Sequence, residues 1–297
     1  MTLTLAPNWV AIVNPRSGGR VMSNAFEQRL DGIVDRVLVS ERAGHVDALV
    51  RSCRDAAGIL VIGGDGTLFE VLQACDRSRQ KIAVLPAGRG NSLAKDLGIA
   101  DKDGVVDCMA HGTDRAIDLL DVTLRHEDGS VWRGVSASNL AIGYPAEVAR
   151  GAARWRRLGT ASYAVATLAA PAAVLHARLQ CDDEAEASAS VTGLIISNSR
   201  YVGPFLGFPS SSLFDGVCHT IEMRAGRIRQ TLHNFSSLTG LGFYEPGVRK
   251  DVRSISIDLD APALLKIDGE LRTGVQEIRV RLLRSAATFR VPGASHG

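Results

Sequence analysis

Residues 58–71 read Gly58-Ile-Leu-Val-Ile-Gly-Gly-Asp-Gly-Thr-Leu-Phe-Glu-Val71. The stretch opens with an apolar run that Gly63-Gly64 ends, and apolar residues then recur at helical spacing from Leu68 to Cys75. A short run that is apolar throughout and bounded by glycine is typical of a strand buried on both faces of a parallel sheet. The stretch therefore predicts a buried strand, a tight glycine turn and a helix.

Further runs of the same kind lie on both sides of this stretch, with helical spacing between several of them. They are Trp9–Val13, Arg36–Val39 and Lys81–Leu85. We expect all of them to be strands buried in one parallel sheet. Strands that alternate with helices in this way predict a doubly wound α/β domain.

The second half of the chain has a different pattern, in which several short segments alternate apolar and polar residues. They are Leu194–Ser197, Val217–Met223, Ser254–Leu259, Leu264–Ile267 and Ile278–Leu282. Alternation of this kind predicts a mainly antiparallel β domain. Two helical stretches, about 146–173 and 227–241, interrupt it. With the polar turn His126–Gly129 as the boundary, we expect domains at 1–125 and 126–297, the last strands being free to pack back on the first domain.

The composition excludes several classes of protein. The chain has 297 residues, of which 45% are hydrophobic and 22% charged, enough for a sizeable core. A net charge of +2 and an aromatic content of 5% argue against a nucleic-acid partner. The cysteines are odd in number, five, and none stand at C-x-x-C spacing, which argues against a zinc ribbon or a disulfide framework. We therefore expect a cytoplasmic protein.

No membrane span or leader is expected either. The longest apolar stretch, 164–175, is interrupted by Thr167 and Pro171 and is shorter than the roughly 20 residues that a spanning helix needs. Residues 1–14 contain no Lys or Arg and so lack the charged start of a signal peptide.

The turn Gly63-Gly-Asp-Gly-Thr67 has the features of a phosphate-binding loop. Glycines allow backbone N–H groups to approach a phosphate closely, and the start of the next helix adds partial positive charge. The alternative is an ordinary turn whose helix is capped by Asp65 or Thr67. A Walker P-loop is excluded because no Lys follows a Gly, and the dinucleotide fingerprint fails because Phe69 replaces its third glycine.

Two other glycine-bearing polar loops follow predicted strands, Asn14–Gly19 and Pro86–Asn91. In an open parallel sheet, the loops at the carboxyl ends of the strands line one crevice. We therefore expect the three loops to converge on a single ligand.

With these three loops in place, the chain resembles the diacylglycerol kinase catalytic-domain family, which is related to sphingosine and ceramide kinases and distantly to NAD kinases. The resemblance rests first on Asn14-Pro-x-Ser-Gly18, Gly63-Gly-Asp-Gly-Thr67 and Pro86-Ala-Gly-x-Gly-Asn91. Later segments are similar in the same order: Asn139–Val148, Arg157-Leu-Gly159, Phe214-Asp-Gly216 and Ile267-Asp-Gly-Glu270. The family's Gly-Gly-Asp-Gly-Thr motif is the most specific of these.

The resemblance implies an ATP-dependent lipid kinase that transfers the γ-phosphoryl group to a lipid hydroxyl with Mg²⁺. The implied fold is α/β: an N-terminal doubly wound nucleotide-binding domain and a C-terminal, mainly antiparallel lipid-substrate domain. The implied nucleotide contacts are Asn14, Pro15, Arg16, Ser17, Gly18, Ser40, Gly64, Asp65, Gly66, Thr67, Leu68, Phe69, Glu70, Arg89 and Asn91. Arg89 stands where many bacterial relatives have Thr, and it could reach phosphate oxygens.

The resemblance leaves two candidates for the general base. Glu270 matches the family's proposed proton acceptor, whereas related sphingosine kinases point to Asp65. Apart from the resemblance, Asp268-Gly269 between two apolar runs predicts a hairpin turn. Both interpretations of the 268–270 segment can hold together.

The family's structural metal site would be held by Asp215 and by backbone carbonyls at Ser212 and Val217, oxygen ligands that suit Mg²⁺. Here Cys218-His219 replaces the usual Leu-Asp pair, which puts that metal in doubt. Glu147 stands where sphingosine kinases have an acidic residue near the lipid head group; otherwise it is a helix-start charge.

The acceptor is expected to be diacylglycerol or a similar neutral lipid, and a sphingoid base is the alternative. A nucleotide-binding regulatory protein without catalysis is a third hypothesis.

A basic cluster surrounds Trp155 in the sequence: Arg150, Arg154, Arg156 and Arg157. Such a cluster suits peripheral attachment to an anionic membrane. An ordinary solvated helix face is the alternative. The sequence leaves open whether the chain is a homodimer.

Overall fold

The computed structural model describes residues 8–17, 32–88, 90–99, 102–155, 161–202, 205–206, 208, 211–224 and 247–293. These residues divide into two compact units. The first draws on residues 1–119, 212–214 and 284–297, and the second on residues 120–211 and 215–283. Helices and strands occur in both, and the α/β fold class is confirmed.

The first unit contains a parallel sheet. Its strands are β1 (Trp9–Val13), β2 (Arg36–Val39), β3 (Gly58–Gly63), β4 (Lys81–Pro86) and the last part of β15 (Glu270–Val291). They pair in the order β2-β1-β3-β4-β15. The helices are α1 (His45–Arg51), α2 (Asp65–Ala74), α3 (Ser92–Asp96) and α4 (Lys102–His111).

Burial differs among the four predicted strands. Every residue of β1 and β3 is buried, as expected for strands covered on both faces. The expectation is wrong for β2, where Val37 and Val39 are 41% and 50% exposed. The reason is position, because β2 pairs only with β1 among the described strands and lies at the edge of this sheet.

The strand order reverses at β1, which lies between β2 on one side and β3 on the other. Ligands of open α/β sheets bind outside the carboxyl ends of the strands at such a reversal. The loops that follow β1 and β3 begin at Asn14 and Gly64, so the topology places both at the expected crevice.

The second unit is built mainly of antiparallel strands. They are β5 (Thr113–His126), β6 (Val131–Ser136), β7 (Asn139–Gly143), β8 (Leu175–Cys181), β9 (Ala187–Ser197), β10 (Tyr201–Val202), β11 (Phe205–Leu206), β12 (Cys218–Arg224), β13 (Gly247–Val252), β14 (Ser254–Ile267) and the first part of β15. The predicted strand segments of this half correspond to β9, β12, β14 and β15, except that Val217 precedes β12 and that Ser254–Leu259 and Leu264–Ile267 are parts of the single strand β14. The predicted C-terminal antiparallel domain is therefore present.

The predicted helical stretch 146–173 is two helices, α5 (Tyr144–Arg154) and α6 (Ala161–Ala169). The other predicted helix, 227–241, lies outside the described residues. The turn after His126 joins β5 to β6 in a hairpin. Two strands, β5 and β15, run from one unit into the other along the chain.

We predict that Phe289→Ala destabilises the first unit. Phe289 is fully buried and pairs with Ile82 of β4, and truncating a buried Phe costs about 3–5 kcal/mol. Urea unfolding measures the loss, with Val37→Ala on the exposed face of β2 as the matched control. A cost as small as that of the control would show that the end of β15 does not belong to this core.

Candidate functional site

The loop after β1 is fastened to the start of α2 through one buried hydroxyl. Asn14 Nδ2 donates to Thr67 Oγ1 at 2.9 Å, and the hydroxyls of Ser17 and Thr67 lie 3.0 Å apart. Asn14 Oδ1 in turn accepts the backbone N–H of Arg16 at 3.0 Å. Thr67, only 3% exposed, therefore joins two of the predicted loops.

The loops after β3 and β4 meet through glycine backbones. A Cβ atom on Gly88 would lie 2.6 Å from the Cα of Gly64, closer than side chains pack. Asn91 fixes the second loop, since its Oδ1 accepts the N–H of Gly88 at 2.9 Å and its Nδ2 donates to the carbonyl of Gly88 at 2.7 Å. The absence of side chains at Gly64 and Gly88 is what permits this approach.

The start of α2 faces the same region. Gly64 is its N-cap in an extended conformation, and no side chain caps the helix. The alternative of a turn capped by Thr67 is therefore wrong, because the Thr67 hydroxyl is directed to Asn14 and Ser17. The first N–H groups of a helix have no acceptor within the helix, and they carry partial positive charge. This is the arrangement that binds anions.

The Asp65 carboxylate lies beside the third loop. A Cβ atom on Gly90 would stand 2.8 Å from Asp65 Oδ2. The loops after β1, β3 and β4 therefore come together in the first unit, with Asn14, Thr67 and Asp65 at their junction.

The remaining residues that were predicted to contact the nucleotide differ in how exposed they are. Pro15 and Arg16 are exposed, and the Arg16 guanidinium donates to the carbonyl of Glu41 at 2.8 Å. Ser40 is buried beside the end of β1, its N–H donating to Val13 at 2.8 Å. The side chains of Leu68 and Phe69 are buried in the core, and Glu70 is half-buried. Gly18 and Arg89 lie outside the described residues.

In the second unit, Asp268 and Gly269 form the turn between β14 and β15, and Ile267 pairs with Glu270 across it. Asp268 has a φ of 46°, in the left-handed region, and is 5% exposed. Its carboxylate accepts four hydrogen bonds from the connection between β6 and β7: from Ser136 Oγ at 2.7 Å and from the N–H groups of Ala137, Ser138 and Asn139 at 3.0 Å each. The buried carboxylate thus anchors the turn that carries Glu270. Sequence reasoning missed this role, because the donors are distant along the chain.

Asp215 is engaged by protein groups on both of its oxygens. Oδ1 accepts the N–H of Val217 at 3.2 Å, and Oδ2 lies 3.3 Å from His219 Nε2. Within the described ranges, no group of three or more His, Cys, Asp or Glu side chains is arranged to hold a metal ion. The neighbouring Cys218 is buried, which raises the pKa of its thiol to about 12, and its Sγ donates to the carbonyl of Val252 at 3.2 Å. The residues around Asp215 therefore do not fit the structural metal that the resemblance implies.

Glu147 lies in the first turn of α5 and forms an ion pair with Arg150 one turn later. The side chain of Glu147 is 18% exposed and that of Arg150 is 52% exposed. This carboxylate is therefore already matched with a positive charge.

A cavity of about 440 Å³ opens on the second unit between residues of β8, β9, β12 and β13. Its walls include Leu179, Cys181 and Val191, with Glu222 and Lys250 as charged members. None of the predicted site residues lines it, so it is separate from the predicted chemistry.

Comparison with known proteins shows which family and which solved structures this chain is similar to. Residues 8–122 match the sequence model of the diacylglycerol kinase catalytic domain. The chain is 26% identical to a diacylglycerol kinase of Mycobacterium tuberculosis over 214 residues, which is 69% of this chain and 67% of that protein. It is also 26% identical to human sphingosine kinase 1 over 182 residues, 53% of this chain and 47% of that protein. Its fold is similar to the crystal structure of a diacylglycerol kinase from Bacillus anthracis, with a TM-score of 0.78 over 97% of each chain at 17% identity.

We predict that Thr67→Val loosens the loop after β1. The substitution keeps the shape of the side chain but removes the hydroxyl shared by Asn14 and Ser17, at a cost of about 1–3 kcal/mol. Urea unfolding measures the cost, and amide hydrogen exchange of residues 14–17 should accelerate. Thr123→Val, at a half-buried position on β5, is the matched control. Unchanged exchange at 14–17 would contradict the proposed fastening.

Proposed function

We propose that this chain, whose residues 8–122 match the diacylglycerol kinase catalytic-domain model, transfers the γ-phosphoryl group of ATP to the hydroxyl of a neutral lipid such as diacylglycerol. The observation that carries the proposal is the meeting of the Gly64 and Gly88 backbones at the start of α2. A cradle without side chains at this place suits the phosphates of a nucleotide.

The residues of the first unit fit the nucleotide. When bound, ATP supplies the phosphoryl group, and Mg²⁺ neutralises part of its charge. The N–H groups at the start of α2 would donate to the phosphates, and the Asp65 carboxylate is an oxygen ligand of the kind that Mg²⁺ prefers. Asn14, Ser17 and Thr67 hold the loops in register for this contact. Phosphoryl transfer depends mainly on such positioning, so a Walker lysine is dispensable.

We assign the removal of the acceptor proton to Glu270. Asp268, with its four hydrogen bonds, fixes the turn that presents this carboxylate. Among the described residues no ion pair engages Glu270, which leaves its oxygens able to accept a proton. Asp65 is the alternative base, and its place in the nucleotide loop suits a metal or phosphate role better.

A sphingoid base is the second candidate acceptor, supported by the similarity to human sphingosine kinase 1. Glu147, the acidic residue that the resemblance places near the head group, already pairs with Arg150, which supports a neutral head group over a cationic one at that position.

The lipid would be collected at a membrane surface by the helix pair α5 and α6. No helix in the described part of the chain is long and apolar enough to cross a bilayer. The pair is held together by close packing of Gly151 on Ala166 and by a hydrogen bond from Tyr144 to Thr167 at 2.7 Å. It exposes apolar side chains beside basic ones: Trp155 at 52%, Leu168 at 71%, Val165 at 37%, and the neighbouring Arg150 and Arg154. Such a surface fits an anionic interface.

We predict that Glu270→Gln retains ATP binding and loses transfer. An acceptor panel of diacylglycerol, ceramide and sphingosine in mixed micelles with labelled ATP first identifies the best substrate. On that lipid, loss of a general base should lower kcat by about 10²–10⁴ while the KM for ATP stays near its wild-type value. Asp65→Asn should raise the KM for ATP as well, because Asp65 lies in the nucleotide loop.

Glu277→Gln, elsewhere on β15 and paired with Arg125 at 3.2 Å, is the control for loss of a surface carboxylate. If Glu270→Gln kept a normal kcat while Asp65→Asn lost it at a normal KM for ATP, the two roles would be exchanged. If ATP bound but no lipid on the panel were phosphorylated, the hypothesis of a regulatory nucleotide-binding protein would replace the hypothesis of a lipid kinase.

The membrane surface makes a separate prediction. The double variant Trp155→Ser and Leu168→Ser should bind vesicles containing 30% phosphatidylglycerol at least about tenfold more weakly, since burying one large apolar side chain contributes about 1.5–3 kcal/mol. Vesicle sedimentation measures the partition. Val131→Ser, 42% exposed on β6, is the control. If both variants bound the vesicles equally well, the membrane-binding surface would not be the one formed by α5 and α6.

A further inference from the structure

His219 lies between two aspartates at the place where the resemblance implies a structural metal. Its Nε2 is 3.3 Å from Asp215 Oδ2, and its Nδ1 is 2.7 Å from Asp251 Oδ1. We propose that in this protein the His219 side chain does the work of the structural metal, tying Asp215 to Asp251, and that the segment around Asp215 binds no such ion.

The first support is that Asp215 already has protein partners on both oxygens. Val217 donates its N–H to Oδ1 at 3.2 Å, while Oδ2 faces the imidazole. A metal at Asp215 would have to share Oδ2 with the ring or share Oδ1 with the N–H of Val217. The usual second carboxylate, which would make such competition favourable, is replaced by the imidazole itself.

The second support is the direction of the contacts. The two ring nitrogens of an imidazole point away from each other, so Asp215 and Asp251 lie on different edges of the ring. One ion cannot be coordinated by both carboxylates and the ring together. The cluster therefore suits a bridging side chain and does not suit a metal with three protein ligands.

The third support is that the strands hold the ring in place. His219 is on β12, directly opposite Asp251 on β13 and Ser197 on β9. The imidazole is 7% exposed and packs on the ring of Phe208, with 5.7 Å between ring centroids. Turning the side chain away to admit an ion would break this packing as well as both polar contacts.

The same positions explain why a carboxylate at 219 would call for a metal. Asp215, an aspartate at 219 and Asp251 would place three like charges together, which is unfavourable without a cation. The imidazole instead offers ring nitrogens to both remaining carboxylates. A single residue thus decides whether this part of the second unit depends on a metal.

The test is thermal unfolding of the nucleotide-free protein in MgCl₂ from 0 to 10 mM, with ionic strength held constant by NaCl. We expect the Tm of the wild type and of Asp215→Asn to respond to Mg²⁺ equally, because the ion has no site at Asp215. His219→Asp should gain a Mg²⁺-dependent rise in Tm on the order of 5 °C when Mg²⁺ exceeds its Kd about 100-fold. His219→Gln, which restores no carboxylate, should gain none.

The decisive comparison uses only the wild type and Asp215→Asn, so it stands even if His219→Asp fails to fold. A Mg²⁺-dependent rise in the wild-type Tm that Asp215→Asn abolishes would overturn the proposal. Counting Mn²⁺ by electron paramagnetic resonance gives a second readout: one Mn²⁺ per chain that is lost in Asp215→Asn would overturn it equally. Neither measurement involves ATP or lipid, so the outcome is independent of the proposed kinase activity.

Discussion

The candidate site depends on a steric constraint: the backbones at Gly64 and Gly88 pass so close that a Cβ atom on Gly88 would stand 2.6 Å from the Cα of Gly64. This contact brings together loops from two neighbouring parallel strands at the start of α2. At the contact itself both loops present main-chain groups, which have the same chemistry at every residue. The side chains nearby, Asn14, Thr67 and Asn91, act on the loops themselves by fixing their shape.

The core strands of the first unit could be predicted because their signal is local. Trp9–Val13 and Gly58–Gly63 are apolar throughout, and polar or glycine residues end them, so both position and burial follow from the sequence. The run Arg36–Val39 gives the same local signal, yet Val37 and Val39 are exposed. Whether a strand is central or at an edge depends on pairing order, and no single strand encodes that order.

The same distinction holds for the site. Convergence of the three loops follows from a general rule about carboxyl ends of parallel strands, so it could be predicted. The anchoring of Asp268 by the β6–β7 connection and the pairing of His219 with Asp251 could not. Each joins residues that antiparallel pairing brings together from distant parts of the chain. The sequence shows which side chains are unusual for the family, but only the strand register shows which partners they meet.

The length of β15 has a consequence for synthesis of the protein on the ribosome. The sheet of the first unit contains Ile82 of β4 next to Phe289, which lies far later in the chain, after the second unit. The nascent N-terminal half therefore emerges with one side of β4 unpaired and cannot complete its sheet until the last part of β15 has been synthesised. Closing such a long loop is slow, and an open strand edge invites association with other chains. The sheet of the first unit is thus completed only after residues 120–283 have been synthesised, and the edge of β4 stays open for that time.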